Sequence, residues 1–237
     1  MIQECGVTNS SRRPPTSAMR VPARSRGASS GTVSPRIRVS RSTLADAAER
    51  RDYRLFEALG QRLITAALAL YGDEDIGLGL KGPVFAMDST TIDLCLSLFP
   101  WADFRQTKAA VKAHVIIDLR GAIPVFVSIT CGKVHDVRLL DDIRLPPGSI
   151  LVVDRGYLDF RRLFALHQQY VGFVIRAKDN LRFAWVSAQP VDASTGLRAD
   201  QTIRLVTPKS KTDYPQPLRR VSFRDPETGK HLVFLTN

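Results

Sequence analysis

Apolar and polar positions change their period along this chain. From Ser42 to Gly72, apolar residues recur at helical spacing: Leu44, Ala47 and Ala48, then Leu55, Phe56, Leu59, Leu63, Ile64 and Ala67. Ser42-Thr43-Leu44-Ala45-Asp46 opens the stretch with a hydroxyl cap and an early acid, which predicts one or two helices. Gly77, Gly79 and Gly82-Pro83 break that pattern. Beyond them the apolar runs shorten and read as strands at 84–87, 113–118, 125–130, 150–153 and 171–176. Leu119 to Pro124 reads as the turn of a hairpin joining the second and third runs. His135 to Leu140 suggests a short helix, Pro146-Pro147-Gly148 resets the chain, and Phe160 to Gln169 has helical spacing. From Asn180 to Asn237 there is no helical pattern. Strands are expected there at Gln201–Leu205, Leu218–Phe223 and Leu232–Leu235, with turns at 192–196 and 225–230.

Three meandering strands followed by helix, strand, helix, strand is the order of an RNase H-like fold. The predicted class is α/β: an RNase H-like mixed sheet with flanking helices, plus a β-rich insertion subdomain at the C-terminal end and a disordered N-terminal segment. The corresponding boundaries are 1–40, 41–80 for the N-terminal helices, 81–180 for the core and 181–237 for the insertion. Residues 1–40 are rich in Ser, Pro, Gly and Arg, with Glu4 as their only acid. Such a composition cannot bury enough apolar surface to offset chain entropy. It also lacks the apolar core of a secretory signal.

Two of the predicted strands end on an aspartate. Val84-Phe85-Ala86-Met87 leads into Asp88-Ser89-Thr90-Thr91, and Ile150-Leu151-Val152-Val153 leads into Asp154-Arg155-Gly156-Tyr157. Each reads as a buried strand that delivers a carboxylate to a sheet edge and then turns. In the expected topology the strand before Asp154 lies parallel beside the strand before Asp88, at the point where strand order reverses and ligands collect. Two carboxylates so close repel one another. A pair of Mg²⁺ ions, with Mn²⁺ as a substitute, removes the repulsion and assists displacement at a phosphodiester. The alternative is that each aspartate merely caps the turn that follows it.

The charge balance favours that chemistry. Thirty-four Lys and Arg against 23 Asp and Glu leave a net charge of +11. Such an excess points to a polyanion, nucleic acid foremost. Cys5, Cys95 and Cys131 show neither CxxC pairing nor metal-ligand spacing, which suits a reducing compartment. No apolar stretch approaches the roughly 20 residues that cross a bilayer. Neither a glycine-rich phosphate loop nor a G-x-S-x-G serine is present.

Several motifs, in order, resemble transposases of the IS4 family. They are Ser42-Thr43-Leu44-Ala45-Asp46-Ala47, Ala86-Met87-Asp88-Ser89-Thr90-Thr91-Ile92-Asp93-Leu94-Cys95, Leu98-Phe99-Pro100-Trp101-Ala102, Gly132-Lys133-Val134-His135-Asp136-Val137 and Val153-Asp154-Arg155-Gly156-Tyr157. Arg176-Ala177-Lys178, Asp225-Pro226-Glu227-Thr228-Gly229-Lys230 and the final Leu-Val-Phe-Leu-Thr-Asn fit as well. The resemblance covers roughly residues 38 to 237. It implies a DDE-type recombinase with Asp88 and Asp154 as the first two catalytic acids and metal ligands. It also implies double-stranded DNA as partner, at inverted-repeat ends and target, and cytoplasmic action at the nucleoid. A homodimer or a full-length transposase is the expected protein partner. In the family the third acid is a glutamate on a helix beyond the β-rich insert, and this chain has no such glutamate. The expectation is a truncated copy whose alternative function is DNA binding without catalysis.

Other residues have two readings each. Arg155 is expected to hold a phosphate beside the second acid. Lys108 and Lys112, with Arg105, form a phosphate-contacting face or a solvated one, and Lys178 is assigned to DNA through its motif. His135-Asp136 offers a ligand with a carboxylate behind it, or a helix cap by Asp136. Phe99-Pro100-Trp101 could stack a base or pack in a turn.

Overall fold

The computed structural model describes residues 39–52, 54–72, 74–94, 103–105 and 108–237. The expectations for residues 1–38, Cys95 and the Phe99–Trp101 motif lie outside the described residues. Contacts divide the chain into two compact units, with the boundary between Arg62 and Leu63. In the first, helix α1 (Arg41–Arg50) is capped by Ser40, whose hydroxyl accepts from the Thr43 amide at 3.1 Å. The cap lies two residues before the one expected, because the hydroxyl that reaches back to a free amide starts the helix. Helix α2 (Arg54–Tyr71) follows, with Leu55, Phe56 and Leu59 exposed.

In the second unit, ten strands form one mixed sheet among the described residues. They are β1 (Val84–Leu94), β2 (Asp103–Arg105), β3 (Lys108–Asp118), β4 (Ile123–Cys131), β5 (Ile150–Val153), β6 (Gly172–Arg176), β7 (Phe183–Gln189), β8 (Leu197–Leu205), β9 (Leu218–Arg224) and β10 (His231–Thr236). Their order is β2-β3-β1-β5-β6-β10-β9-β8-β7, with β4 also paired to β3. Only the β1–β5 and β5–β6 pairs are parallel. The fold is therefore α/β with a large mixed sheet and few helices.

The strands expected as a β-rich subdomain hydrogen-bond into this same sheet, since β10 pairs antiparallel with β6 from Phe234↔Arg176 to Thr236↔Val174. Two elements there escape the sequence reading. β7 carries Trp185 and Val186 exposed beside polar residues, which hides its strand character. Helix α4 (Pro208–Asp213) is only six residues long, and is set by Thr207 as cap and Pro208 in its first turn.

One face of the sheet carries the core. Phe85, Met87, Leu151, Val153, Phe173, Ile175 and Leu235 alternate onto it and are buried. Helix α3 (Phe160–Gln168), capped by the Asp159 carboxylate, packs into the same core through Leu163 and Leu166. Tyr214 completes this layer with edge-on contacts to Phe164 and Phe173 and a 2.6 Å hydrogen bond to His167 Nδ1. The other face is more open: Val127 and Val152 are 39% and 36% exposed.

The register of β1 against β5 is fixed where both strands enter the sheet. The Ile150 amide donates to the Pro83 carbonyl at 2.9 Å. Gly82 approaches Gly148 so closely that a Cβ there would meet the Gly148 carbonyl oxygen at 2.1 Å. Only glycine permits that approach, and it sets Val84 opposite Ile150 and Met87 opposite Val153.

Candidate active site

Asp88 and Asp154 each follow the last pair of the β1–β5 ladder, Met87↔Val153. Asp154 keeps an extended backbone (φ −75°, ψ 165°), so the strand direction continues one residue past the ladder. The two aspartates therefore stand side by side on adjacent parallel strands, whose spacing is about 4.8 Å. Both lie on the more open face and both are exposed. Alternation explains this: Met87 and Val153 are buried, so the next residue on each strand faces the other way.

The expectation that β1 ends at the acid is corrected. β1 runs on through Ser89-Thr90-Thr91-Ile92-Asp93-Leu94, paired throughout with β3. Thr and Ile are good strand residues on a half-buried surface, so the small polar run extends the strand instead of turning it. The edge at Asp88 is created by its neighbour, because β5 stops at Val153. The capping alternative also fails at Asp154, whose side chain makes no capping hydrogen bond to the 3₁₀ turn Arg155–Tyr157. The Asp88 carboxylate accepts the Ser89 amide at 2.8 Å. Neither aspartate has an ion-pair partner among the described residues.

The predicted basic residues fall in different places. Arg155 is exposed in the turn directly after Asp154 and has no ion-pair partner among the described residues. Lys178 lies just beyond β6, lining a cavity of about 190 Å³ with Arg176, Asp179, Arg220 and His231. Arg176 itself follows Ile175, which is opposite Val153, so register puts it beside Asp154. Lys108 begins β3. Lys112 points to the covered face, where its ammonium donates to Asp136 and to the Val134 carbonyl, both at 3.0 Å.

Asp136 therefore serves as the partner of Lys112, with a side chain 30% exposed. The residue at the helix cap position is His135, which is exposed and makes no capping bond. His114 is fully buried beside this pair, with Nδ1 4.0 Å from the Asp136 carboxylate and Nε2 2.9 Å from Thr130 Oγ1. Burial holds its pKa below the ordinary 6.5, against the pull of Asp136 and with help from Lys112. Tyr157 is 2% exposed, and burial pushes its phenol up to about 12, against a hydrogen bond to the Ser89 side chain and with the carboxylates of Asp136, Asp88 and Asp154 adding to the rise. Sequence reasoning singled out neither His114 nor Tyr157 for a role. A polar residue at an inward position of each strand or turn is their only trace.

Exposed, unpaired carboxylates in adjacent register are hard oxygen donors of the kind Mg²⁺ and Mn²⁺ accept. The donor set thus fits a divalent metal. Among the described residues no group of three His, Cys, Asp or Glu gathers here or elsewhere. Cys131, at the end of β4, is disulfide-bonded, which the reading of isolated thiols does not anticipate. No helix among the described residues is long and apolar enough to cross a membrane.

Comparison with known proteins shows the family. The family model described as "Transposase DDE domain" matches residues 79–222, a span that contains both aspartates. "Probable transposase for insertion sequence element IS5377" of Geobacillus stearothermophilus is 30% identical over 157 residues, 65% of this chain and 41% of that protein. "Putative transposase y4zB" of Sinorhizobium fredii is 28% identical over 155 residues, 64% of this chain and 43% of that protein. "Putative transposase for insertion sequence element IS4SA" of Synechocystis is 25% identical over 158 residues, 65% of this chain and 44% of that protein. The chain spans less than half the length of these curated relatives. With the family domain matched over most of its length, the chain belongs to the DDE transposases of insertion sequences.

Proposed function

We propose that this chain supplies the metal-binding centre of a cut-and-paste transposase, in an RNase H-like core. The reaction is hydrolysis of phosphodiesters at the inverted-repeat ends of an insertion sequence, followed by joining of the freed 3′-hydroxyls to target DNA. The observation that carries this reading is the pair Asp88 and Asp154: same register, adjacent parallel strands, exposed, and unpaired among the described residues. Mg²⁺ bound there, or Mn²⁺ in its place, supplies Lewis acidity for in-line displacement at phosphorus.

The chain's own residues do the rest. The Asp88 carboxylate is held by the Ser89 amide, and Asp154 stands at the start of the turn Arg155–Tyr157 with no capping bond to it. Arg155, free to rotate beside the second acid, is suited to a bidentate contact with a phosphate. Lys178, beyond the neighbouring strand, is assigned to DNA, and Lys108 is assigned so by its place in the sequence alone. The net charge of +11 supports a DNA partner.

The test is Mn²⁺ binding and Mg²⁺-dependent cleavage of inverted-repeat DNA by the chain, compared with Asp88→Asn and Asp154→Asn. Metal binding lost in both variants supports the site, while binding unchanged in either removes that residue from it. A second reading, DNA binding without cleavage, is favoured by the absence of a third carboxylate at the pair among the described residues. Metal-dependent cleavage by the purified chain rejects it.

A further inference from the structure

Beneath the acid pair, on the covered side of the sheet, two buried polar atoms lack a well-formed hydrogen bond: Tyr157 Oη, whose polar neighbour is the Ser89 side chain, and His114 Nδ1. Buried polar groups are nearly always satisfied, so two such atoms, each neighbouring Ser89, call for a reason. Tyr157 is connected to both acids. Its backbone N–H donates to the Asp154 carbonyl at 3.0 Å, and its side chain lies against Ser89, the residue after Asp88. Ser89 in turn donates its N–H to the Asp88 carboxylate at 2.8 Å. On the far side, Ser89 is paired in register with His114, next to the ion pair of Lys112 and Asp136. Through its hydroxyl at Ser89 and its backbone N–H at Asp154, Tyr157 couples the residue after the first acid to the turn after the second.

The geometry points to Tyr157 as a positioning residue: held between Ser89 and the Lys112–Asp136–His114 cluster, it fixes the spacing of the Asp88 and Asp154 carboxylates and so their affinity for a divalent metal. The inference rests on the reading of those two acids as metal ligands. Groups behind metal ligands commonly change affinity ten- to a hundredfold when removed. A core tyrosine with a merely structural role would change stability and leave metal affinity alone.

The test is a Mn²⁺ titration of the full chain followed by electron paramagnetic resonance, with thermal melting recorded on the same samples. Tyr157→Phe keeps the ring and removes the hydroxyl. Ser89→Ala removes the side chain it touches. Both are expected to weaken Mn²⁺ binding about tenfold, while Tyr170→Phe, on an 80% exposed tyrosine, leaves it unchanged. A lowered melting temperature with wild-type Mn²⁺ affinity in Tyr157→Phe overturns the positioning role. If the wild-type chain shows no Mn²⁺ site that Asp88→Asn abolishes, the acid-pair reading falls and this inference falls with it. If that site is present and Tyr157→Phe leaves it intact, the positioning role alone fails.

Discussion

Asp118 and Asp88 sit on neighbouring strands three steps apart, since Asp118 pairs with Phe85 and Asp88 with Val115. The fold treats them in opposite ways. Asp118 faces the core and is 1% exposed. Arg120 grips it with Nε at 3.1 Å and Nη2 at 2.7 Å, donates its backbone amide at 2.9 Å, and ties the Gly72 carbonyl at 2.6 Å. Asp88 faces outward beside Asp154 and has no cation among the described residues. Asp136 belongs with Asp118, because Lys112 neutralises it. A carboxylate whose charge is satisfied within the chain serves the fold. A pair left side by side where β5 stops keeps its mutual repulsion, with no cation to neutralise it among the described residues.

Stability should therefore separate the two kinds of acid. The largest loss is expected for Asp118→Asn, which removes the countercharge of a mostly buried guanidinium and costs about 3 kcal/mol, at the low end for a broken buried pair. Urea denaturation followed by circular dichroism measures it, and the Mn²⁺ affinity at Asp88 and Asp154 should stay unchanged. A loss below about 1 kcal/mol, on the scale of an exposed pair, would remove the structural role given to Asp118. Asp136→Asn comes next. It takes the countercharge from the Lys112 ammonium, 16% exposed, and leaves it neutral acceptors alone, at a cost of about 2 kcal/mol.

The difference between these acids was only partly legible in the chain. The fully apolar runs before Asp88 and Asp154 announce central strands, and their parallel pairing follows from the order of elements. So the acid pair could be found without coordinates. Lys112 could not be separated from a solvent-facing lysine, because its partner is 24 residues away and its inward direction depends on the phase of β3. His114 and Tyr157 are hidden for the same reason: what matters about each is a neighbour distant in sequence. The length of β1 was misread because Ser-Thr-Thr serves turns and strands equally well, and only pairing with β3 decides. β7 escaped because an edge strand with polar and exposed positions carries no strong alternation.

A third prediction uses pH. His114 is buried with its pKa held below 6.5, so the unfolded chain binds the proton more readily than the folded one. Stability is then full above pH 6.5 and falls as pH drops below it, by at most about 1.4 kcal/mol per pH unit until the folded state also protonates. His114→Gln should flatten this slope in melts recorded between pH 7.5 and 5. A slope that survives the substitution assigns it to another group and removes His114 from the buried cluster's energetics.

The smallest effect carries the sharpest contrast. If Asp88 and Asp154 repel each other with no cation between them, removing one charge should relieve the native state. Like charges on adjacent strands cost a few tenths of a kcal/mol to about 1 kcal/mol. Asp88→Asn is isosteric, and its side-chain oxygen can still accept the Ser89 amide, so little else is lost. In metal-free buffer at low salt the variant should be more stable than the wild type by a few tenths of a kcal/mol. Adding Mn²⁺ should reverse the order, because only the wild type gains binding energy in its folded state. A variant less stable than wild type in both buffers would mean that Asp88 supports the fold as Asp118 does, and the contrast between the two aspartates would be lost.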